Sequence, residues 1–377
     1  MALADPHSET TQSANTTSVT TGRVRPWWLR LLRSLVLIVF GAGLLGLLMV
    51  FIASFFAQQY FYAELLSHFR AQYLAVGLVM LLMSRWVANR AFTWLTVLLL
   101  LPHLVQVAPF YYPLDWTRQT RTPPAQAALD TDHAPATQTT TDTNQPLKIL
   151  SFNVYAKNTD YQTTIDYLRQ CDADVIGLVE CSPEWERHVR QGIQDLYPYD
   201  GRQVLPGWSG DQIFSRIPLQ SSKQDPQYSQ VPRSNQMMVV QANFQGRPFL
   251  FGVVHPSSPD SEKALKRRNR EFEKIGAITS QVTSPLILVG DYNCSSGSPY
   301  FRQLLNVSGL HDSRKGFGWQ GSWPSFAPFA MIPIDHVLTS AHWKTRYREI
   351  GPNLGSDHLP VYAELEWQDD SLPESYR

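Results

Sequence analysis

The sequence predicts an α/β layered sandwich that follows a membrane region, and three observations support this. From Leu147 onward, short apolar runs alternate with stretches of helical periodicity. Some of these runs are continuously apolar, such as LILVG at 286–290, whereas VYAELEW at 361–367 alternates apolar and polar residues. An uncharged segment from Ser34 to Ala57 precedes them. Hairpins mixed with crossovers favour mixed sheets over a purely parallel sheet.

Composition and charge argue against several classes of protein. The 377 residues contain 32 Lys plus Arg and 32 Asp plus Glu, and the part from Leu147 onward contains 23 basic and 25 acidic residues. A chain with this balance has no broad positive field, so its charge does not favour a nucleic-acid partner. Cys171 and Cys181 flank a predicted strand that holds them apart, and no CxxC pattern occurs. A disulfide framework and a zinc site are therefore not expected.

The N-terminal third of the chain predicts a tail followed by a membrane region. The first 22 residues, rich in Ser and Thr, predict a disordered tail. The membrane region spans residues 23–112, with three predicted transmembrane helices at 34–57, 71–86 and 91–110. A signal peptide is the alternative for the first segment, but its apolar core is longer than a usual h-region and no clean cleavage site follows.

Arginines around these segments predict the orientation in the bilayer. They occur before the first segment and in the link between the second and third, namely Arg23, Arg25, Arg30, Arg33, Arg85 and Arg90. Three crossings place all of them on the cytoplasmic side, so the part after Phe110 lies outside the cytoplasm. An interfacial or re-entrant middle segment reverses this result. We expect a multi-pass protein of a plasma or inner membrane, anchored by its N-terminal helices in the lipid bilayer, with no obligate protein partner.

The rest of the chain divides into a linker, one domain and a tail. Residues 113–146 are rich in Thr, Pro, Ala and Gln and predict a disordered linker, and residues 369–377 predict a short tail. The domain between them, 147–368, has two clear helical stretches at 159–171 and 261–282. Eight apolar runs predict strands: LKILSF, DVIGLV, QIFS, MMVVQANF, RPFLFGVV, LILVG, IDHVL and VYAELEW. Gln245-Gly246 predicts a hairpin turn.

Polar side chains follow or interrupt six of these apolar runs. The set consists of Asn153, Glu180, His255, Asp291 with Asn293, Asp335, and Asp357 with His358. Any one such residue is more often a turn or cap residue than a catalyst. Together they indicate that several strands deliver polar side chains to one rim of the domain.

This set of side chains suits metal-assisted attack on a phosphate ester. Glu180, Asp357 and the amide of Asn153 offer the hard oxygen ligands that Mg²⁺ prefers, and Mn²⁺ is an alternative. Asp291 and Asn293, two residues apart on an extended segment, project the same way. The first can accept a proton from water and the second can orient water or a phosphoryl oxygen.

Two histidines complete the predicted chemistry. His358 stands next to a metal-binding carboxylate and, oriented by an acid such as Asp335, forms an acid/base dyad. His255 can donate a hydrogen bond to a phosphoryl oxygen. The predicted reaction is hydrolysis of a phosphate ester.

In this order, the motifs resemble the endonuclease/exonuclease/phosphatase superfamily, which includes deoxyribonuclease I, abasic-site endonucleases, neutral sphingomyelinases and inositol-polyphosphate 5-phosphatases. GDYN at 290–293 followed by SDHLPV at 356–361 is the most specific feature, and GDQIFSRIPL resembles a family strand with the pattern G-x-A-x-x-S-R. HPSSP, the pair Arg268-Asn269 and GSWPSFAPFAMIPIDHVL resemble bacterial membrane-anchored members.

The resemblance implies a four-layer α/β sandwich, two mixed β-sheets flanked by helices, with the site at the strand ends. It implies that Glu180 holds the metal with Asn153 and Asp357 near it. It also implies that Asp291, beside Asn293, activates the attacking water. His358 paired with Asp335, and His255, would then bind phosphate and transfer protons. Some members have an acid where this chain has Tyr155, so we expect one tightly held ion rather than two.

We therefore expect a membrane-anchored, Mg²⁺-dependent hydrolase of phosphate mono- or diesters. The alternatives are a nuclease acting on DNA or RNA, which the neutral charge does not favour, and a non-catalytic binding or signalling module that keeps the fold. Of the KRRNR cluster, only Arg268 is expected to reach the site. Cys294 is interpreted as a packing residue, and three tryptophans as packing or rim residues: Trp208, Trp319 and Trp323.

Overall fold

The computed structural model describes residues 26–87, 90–112, 145–204, 210–221 and 237–368. The predicted tails at 1–22 and 369–377, nearly all of the predicted linker, Arg23, Arg25 and Trp208 lie outside these residues. The described residues form an N-terminal group of helices and a layered α/β domain.

The N-terminal group contains three long apolar helices and one short helix. They are α1 (Trp27–Phe55), α2 (Phe61–Leu66), α3 (Arg70–Val87) and α4 (Arg90–Val107). Three segments are long and apolar enough to cross a membrane: Trp27–Phe55, Phe61–Ser84 and Arg90–Phe110. The first begins before the predicted bound of residue 34, because the aromatic and leucine residues around Arg30 extend the helix towards its N-terminus.

The three long helices pack through one apolar cluster that includes Phe40, Leu44 and Leu99. Glycines allow close approach here, since a Cβ on Gly77 would lie 2.1 Å from Leu100 Cδ2. The absence of a side chain at Gly77 therefore lets α3 pack closely against α4.

The α/β domain contains two sheets of six strands each among its described residues. The strands are β1 (Leu147–Asn153), β2 (Val175–Cys181), β3 (Tyr199–Asp200), β4 (Gly210–Ser215), β5 (Leu219–Ser221), β6 (Met237–Phe244), β7 (Arg247–Val254), β8 (Leu286–Asp291), β9 (His311–Asp312), β10 (Asp335–Thr339), β11 (Trp343–Ile350) and β12 (Val361–Trp367). One sheet has the order β11-β12-β1-β2-β4-β3, and the other has the order β5-β6-β7-β8-β10-β9. Only β1 with β2 and β7 with β8 pair in parallel among the described strands, so both sheets are mixed.

The sheets face each other and helices cover their outer faces. Aliphatic side chains such as Ile149, Val289 and Val361 fill the space between the sheets. On the outer faces lie α5 (Tyr161–Gln170) and α6 (Pro183–Ile193) against the first sheet, and α8 (Glu262–Thr279) and α9 (Pro299–Ser308) against the second, with the short α7 (Gly201–Val204) between β3 and β4. This arrangement confirms the predicted four-layer sandwich.

All eight predicted strands form, but four others were not predicted: β3, β5, β9 and β11. Three are only two or three residues long, and β11 lies at a sheet edge where only Trp343 and Arg348 are buried. An edge strand with few buried residues has no apolar run to mark it. The hairpin turn is confirmed, with φ of 56° at Gln245 and 82° at Gly246.

Candidate active site

The predicted site residues meet at one edge of the paired sheets. Asn153 ends β1 and Asp291 ends β8, while Asp335 begins β10 directly opposite Asp291 in the antiparallel ladder. His255 follows the last residue of β7, which runs parallel to β8. Parallel β7 and β8 end at the same sheet edge, antiparallel β10 begins there, and β1 of the facing sheet brings Asn153 to the same edge.

Asp291 is the centre of the cluster. Its Oδ2 lies 3.1 Å from Asn153 Nδ2, 3.6 Å from His358 Nε2 and 3.8 Å from His255 Nε2. Burial raises the pKa of Asp291, and the Asp335 carboxylate adds to this rise while the two histidines oppose it. A buried carboxylate facing two imidazoles is placed to exchange a proton with a molecule bound between them.

His358 is held by Asp335 at its far side. His358 Nδ1 lies 2.9 Å from Asp335 Oδ2, and Ser356 Oγ accepts the His358 backbone N–H at 3.0 Å. Burial alone would lower the pKa of His358, but the Asp335 and Asp291 carboxylates outweigh it and raise that pKa to about 10. The ring is therefore a cation that turns Nε2, a hydrogen-bond donor, towards Asp291.

Glu180 lies at the open side of the cluster and keeps a partly exposed side chain. Its backbone has a φ of 56°, which turns the carboxylate out of the strand towards the site. Glu180 Oε1 accepts from Asn153 Nδ2 at 3.1 Å, and Oε2 accepts from the Ala156 N–H at 3.1 Å. His255 Nε2 lies 3.9 Å from Glu180 Oε1, so one imidazole joins the two acids.

Asp211 stands behind His255, and the sequence reasoning missed it. Its Oδ1 lies 4.0 Å from His255 Nδ1, and burial raises the pKa of Asp211 to about 6. Asp211 is the second residue of β4 and does not follow an apolar run, so a search for polar residues at the ends of such runs did not select it. The signal that could have found it is an acid inside the family-like stretch GDQIFSRIPL.

Five of the clustered residues form two overlapping groups that could hold a cation. Glu180, His255 and Asp291 form one group, and Asp291, Asp335 and His358 form the other, with ligand atoms within 4.8 Å of one another. Of these, the Glu180 and Asp291 carboxylates are the hard oxygen donors that Mg²⁺ or Mn²⁺ takes alongside water.

Asp357 lies beside this cluster rather than within either group. Its Oδ2 accepts from Trp323 Nε1 at 3.1 Å, and its Oδ1 is buried with no hydrogen-bond partner among the described residues. A buried carboxylate oxygen without a partner is costly unless a cation or water satisfies it. Asp357 Oδ1 is therefore a buried oxygen that a cation or a water molecule would satisfy, next to the Glu180 and Asp291 carboxylates that suit a divalent cation.

Asn153 turns its amide nitrogen towards the site. Its Oδ1 accepts the Tyr155 N–H at 2.9 Å, whereas Nδ2 donates to Glu180 and Asp291. In this arrangement Asn153 is a hydrogen-bond donor within the cluster. Its oxygen, the atom that the predicted metal role requires, accepts the N–H of Tyr155, where φ is 57°.

Asn293 stabilises the loop after β8 through two hydrogen bonds. Its N–H donates to Asp291 Oδ1 at 2.7 Å, and its Nδ2 donates to Pro256 O at 3.0 Å.

The residue before Asp291 is Gly290, with a φ of 140°, and a Cβ there would lie 2.0 Å from Val254 O. Only glycine permits this approach, which holds the ends of β7 and β8 together.

Arg268 reaches the loop after β8 but not the cluster itself. The guanidinium is fully buried, with Nη1 donating to Asn293 O at 3.0 Å and Nη2 donating to Glu64 Oε1 at 2.7 Å. Glu64 belongs to α2, and Ser298 Oγ also donates to its Oε1 at 2.8 Å. The N-terminal helices therefore contact the segment that carries Asn293.

Sequence reasoning missed Glu64, and two signals could have found it. It is an acid in an otherwise apolar helical segment, where an ionisable side chain needs a partner. Arg268 lies in a helix whose other basic residues are exposed. The pairing itself joins positions that are 204 residues apart, and neither local pattern identifies the other.

The interpretations of Cys294 and of two tryptophans agree with the structure. Cys294 is buried in the apolar cluster under the second sheet, and burial raises the pKa of its thiol to about 12. Such a thiol is protonated at neutral pH and unsuited to nucleophilic attack. Trp323 lies at the rim beside Asp357, and Trp319 Nε1 donates to Met331 O at 3.3 Å.

A buried ion network lies under the second sheet, behind the site. Asp312 Oδ2 lies 3.7 Å from both His336 Nδ1 and Arg314 Nε. Burial alone would raise the pKa of Asp312, but the nearby His336 ring and the Arg314 and Arg348 charges hold it well below its usual range. His336 Nε2 also donates to Cys294 O at 2.8 Å, so the network supports the loop after β8.

Comparison with known proteins places the domain in a family. Residues 150–358 match the model described as the Endonuclease/Exonuclease/phosphatase family, and no curated protein sequence matches the chain. Among solved structures, the beta toxin from Staphylococcus aureus is 18% identical over 58% of this chain and 99% of its own, with a TM-score of 0.45. Sphingomyelinase C from Streptomyces griseocarneus is 19% identical over 58% of this chain and 99% of its own, with a TM-score of 0.43.

A third similar structure carries the family description itself. It is the endonuclease/exonuclease/phosphatase from Beutenbergia cavernae, 16% identical over 59% of this chain and 72% of its own, with a TM-score of 0.47. The family match at 150–358 covers more than half of the 377 residues. The chain therefore belongs to the endonuclease/exonuclease/phosphatase family.

Proposed function

We propose that the chain is a membrane-anchored, divalent-metal-dependent phosphoesterase. The observation that carries this proposal is the position of Asp291, whose Oδ2 lies 3.1 to 3.8 Å from the nitrogens of Asn153, His358 and His255. The attack of water on a phosphate requires a base, hydrogen-bond donors for the phosphate and a carboxylate for the metal. The buried acid, the nitrogen donors around it and the second acid at the open side can supply these three.

Each residue has a distinct task in this reaction. Glu180, with Asp357, holds a Mg²⁺ or Mn²⁺ ion, which when bound supplies Lewis-acid polarisation of a phosphoryl oxygen. Asp291 accepts the proton of the attacking water. His358, kept as a cation by Asp335, donates a hydrogen bond to the phosphate and a proton to the leaving oxygen.

Two further groups orient the phosphate. Asn153 Nδ2 and His255 Nε2 both approach Asp291 Oδ2, so they surround the position where a phosphoryl oxygen would lie next to the attacking water. Asp211 behind His255 keeps that ring oriented. Groups fixed in this way stabilise the added negative charge of the transition state without rearranging.

The membrane anchor and its orientation form the second part of the proposal. The catalytic domain contacts the N-terminal helices through Gln58, Gln72 and Phe110, which lie near the end of α1, the start of α3 and the end of α4. Arg30 lies near the opposite end of α1, and Arg90 lies at the opposite end of α4. By the positive-inside rule, these arginines face the cytoplasm and the catalytic domain faces outward.

A substrate comparison with the full chain tests the function. The protein, reconstituted in lipid nanodiscs, is given bis-p-nitrophenyl phosphate, phospholipid vesicles and supercoiled plasmid, with Mg²⁺ or with EDTA. We expect metal-dependent hydrolysis of phosphate esters and little plasmid nicking, because the domain is not basic. Nicking faster than phospholipid hydrolysis would favour a nuclease. Metal binding without turnover on any ester would favour a non-catalytic module and contradict the proposal.

A further inference from the structure

A loop next to the site carries two exposed phenylalanines. Trp323 and Ile332 form a β-bridge that closes the loop, with Ile332 N–H donating to Trp323 O at 2.6 Å. Between them, Phe326 is 76% exposed and Phe329 is 85% exposed. Val307 is the only other large exposed hydrophobic residue in the described part of the α/β domain. Two such residues on one short loop indicate a surface that is covered in the working protein.

The base of this loop is bonded to the catalytic segment. Trp323 Nε1 donates to Asp357 Oδ2 at 3.1 Å, and the Ser325 N–H donates to Asp357 O at 2.8 Å. Ser325 Oγ donates to Ser356 O at 2.7 Å. The Trp323 and His358 rings lie 6.4 Å apart between their centroids. A molecule or surface that binds Phe326 and Phe329 therefore lies close to His358.

The other side of the loop is bonded to the N-terminal helices. Gln72 Nε2 donates to Met331 O at 2.7 Å, and Gln72 lies in the first turn of α3, inside a segment able to cross a membrane. Phe329 is two residues from Met331, so its Cα lies within about 7 Å of Met331. The tip of the loop is thus held near the level at which α3 begins.

Exposed aromatic residues mark that level as a membrane interface. Tyr60 and Tyr62 lie between α1 and α3, and Tyr112 follows α4, all of them exposed. Tyrosines at the ends of transmembrane helices lie at the level of the lipid headgroups. Phe326 and Phe329 extend this aromatic belt from the helices to the mouth of the site.

We propose that Phe326 and Phe329 insert into the surface of the lipid bilayer, so that the site acts on the phosphate ester of a membrane lipid headgroup. The choice of substrate rests on the proposed phosphoesterase function, whereas the insertion does not. The bilayer is the occupant because the loop is bonded to a membrane-spanning segment. Two aromatic rings beside a polar site suit a surface that is apolar inside and rich in phosphate at its boundary.

Fluorescence quenching tests the insertion. Phe329→Cys is labelled with the fluorophore NBD in the full chain, since Cys171, Cys181 and Cys294 are all buried and do not compete. The matched control is Asn243→Cys, an exposed position paired with Pro248 about 20 Å along β7 from the site edge. In phosphatidylcholine nanodiscs, we expect a blue-shifted emission at 329 that doxyl-labelled lipid quenches, and neither effect at 243. Equal quenching at both positions, or at neither, would overturn the insertion. A blue shift at 329 that appears only when a soluble protein is added, and not with lipid, would overturn it as well.

A substrate comparison tests the lipid assignment. We expect Phe326→Ser with Phe329→Ser to lower hydrolysis of phosphatidylglycerol or sphingomyelin in vesicles about tenfold or more, while hydrolysis of bis-p-nitrophenyl phosphate stays unchanged. Val307→Ser, the exposed apolar control, should change neither rate. An equal loss on both substrates, or no loss on lipid, would contradict the assignment. If the unaltered chain hydrolyses no ester, the phosphoesterase proposal fails while the quenching result still decides the insertion.

Discussion

The contact between Glu64 and Arg268 links the N-terminal helices to the loop after β8, and Glu64→Gln tests that link. Both side chains are completely buried, and their charged atoms lie 2.7 Å apart. Arg268 also donates to the carbonyl of Asn293, which follows Asp291 by two residues. Glutamine keeps the size and one acceptor of glutamate but leaves the Arg268 cation without its counter-charge. The substitution therefore removes the negative charge at position 64 and changes the side-chain volume little.

The size of the effect follows from this burial. Removing one partner of a buried ion pair costs about 3–5 kcal/mol, because the remaining charge stays buried without compensation. Glutamine retains a hydrogen bond to Arg268, so we expect the lower end, about 3 kcal/mol. A loss of that size in the local stability of the 292–298 loop increases its amide hydrogen exchange about a hundredfold.

Hydrogen exchange measured by mass spectrometry on the full chain is the assay, with phosphoester hydrolysis measured in parallel. The matched control is Glu262→Gln, on the same helix as Arg268, where the acid pairs with Lys266 on the exposed face. That change should leave exchange in the 292–298 loop unaltered. Exchange in Glu64→Gln no faster than in Glu262→Gln would refute the reasoning.

Three further predictions concern metal binding, backbone conformation and pH. Glu180→Gln should raise the Mg²⁺ concentration for half-maximal activity about tenfold or more, and an unchanged metal titration would remove Glu180 from the metal site. Gly290→Ala should destabilise the fold by about 3 kcal/mol or more in chemical denaturation. Gly246→Ala, also at positive φ but with open space around it, should cost less, and equal costs would contradict the steric argument. Because the pKa of Asp312 is lower in the folded chain than its unfolded value of about 3.9, its contribution to stability is present above about pH 5 and lost as the pH falls further. Asp312→Asn should therefore lower the free energy of unfolding at neutral pH and make its fall at acid pH shallower. An unchanged fall at acid pH would count against Asp312 as the group responsible.

The sequence predicted the layers and most of the site because both depend on local patterns. Apolar runs marked strands such as β8, and the polar residues next to six of the eight runs marked positions on the sheet edge. Asp291 is the clearest case, since GDYN follows four apolar residues and the strand ends at Asp291. In the structure, antiparallel pairing of β8 with β10 places Asp335 opposite Asp291.

Features that depend on tertiary contacts were not predictable in the same way. Edge strand β11 is polar on most of its surface, so its sequence resembles a loop. Asp211 precedes an apolar run instead of following one, and only the fold shows that it lies behind His255. Local signals could have done better for α6 and α9, since Ser182 and Ser298 cap their first turns and a proline follows each.

The proposed role of Asp291 as the base can be tested by the rate of bis-p-nitrophenyl phosphate hydrolysis by the full chain and by Asp291→Asn, each with Mg²⁺ and with EDTA. Asparagine keeps the shape of Asp291 but cannot accept the proton of the attacking water. We predict metal-dependent turnover by the unaltered chain and a loss of about 10²–10⁴-fold in the variant. Asp172→Asn, an exposed acid that pairs with Lys148 near the starts of β1 and β2, should keep full activity. Turnover by Asp291→Asn at the rate of the unaltered chain would contradict the account.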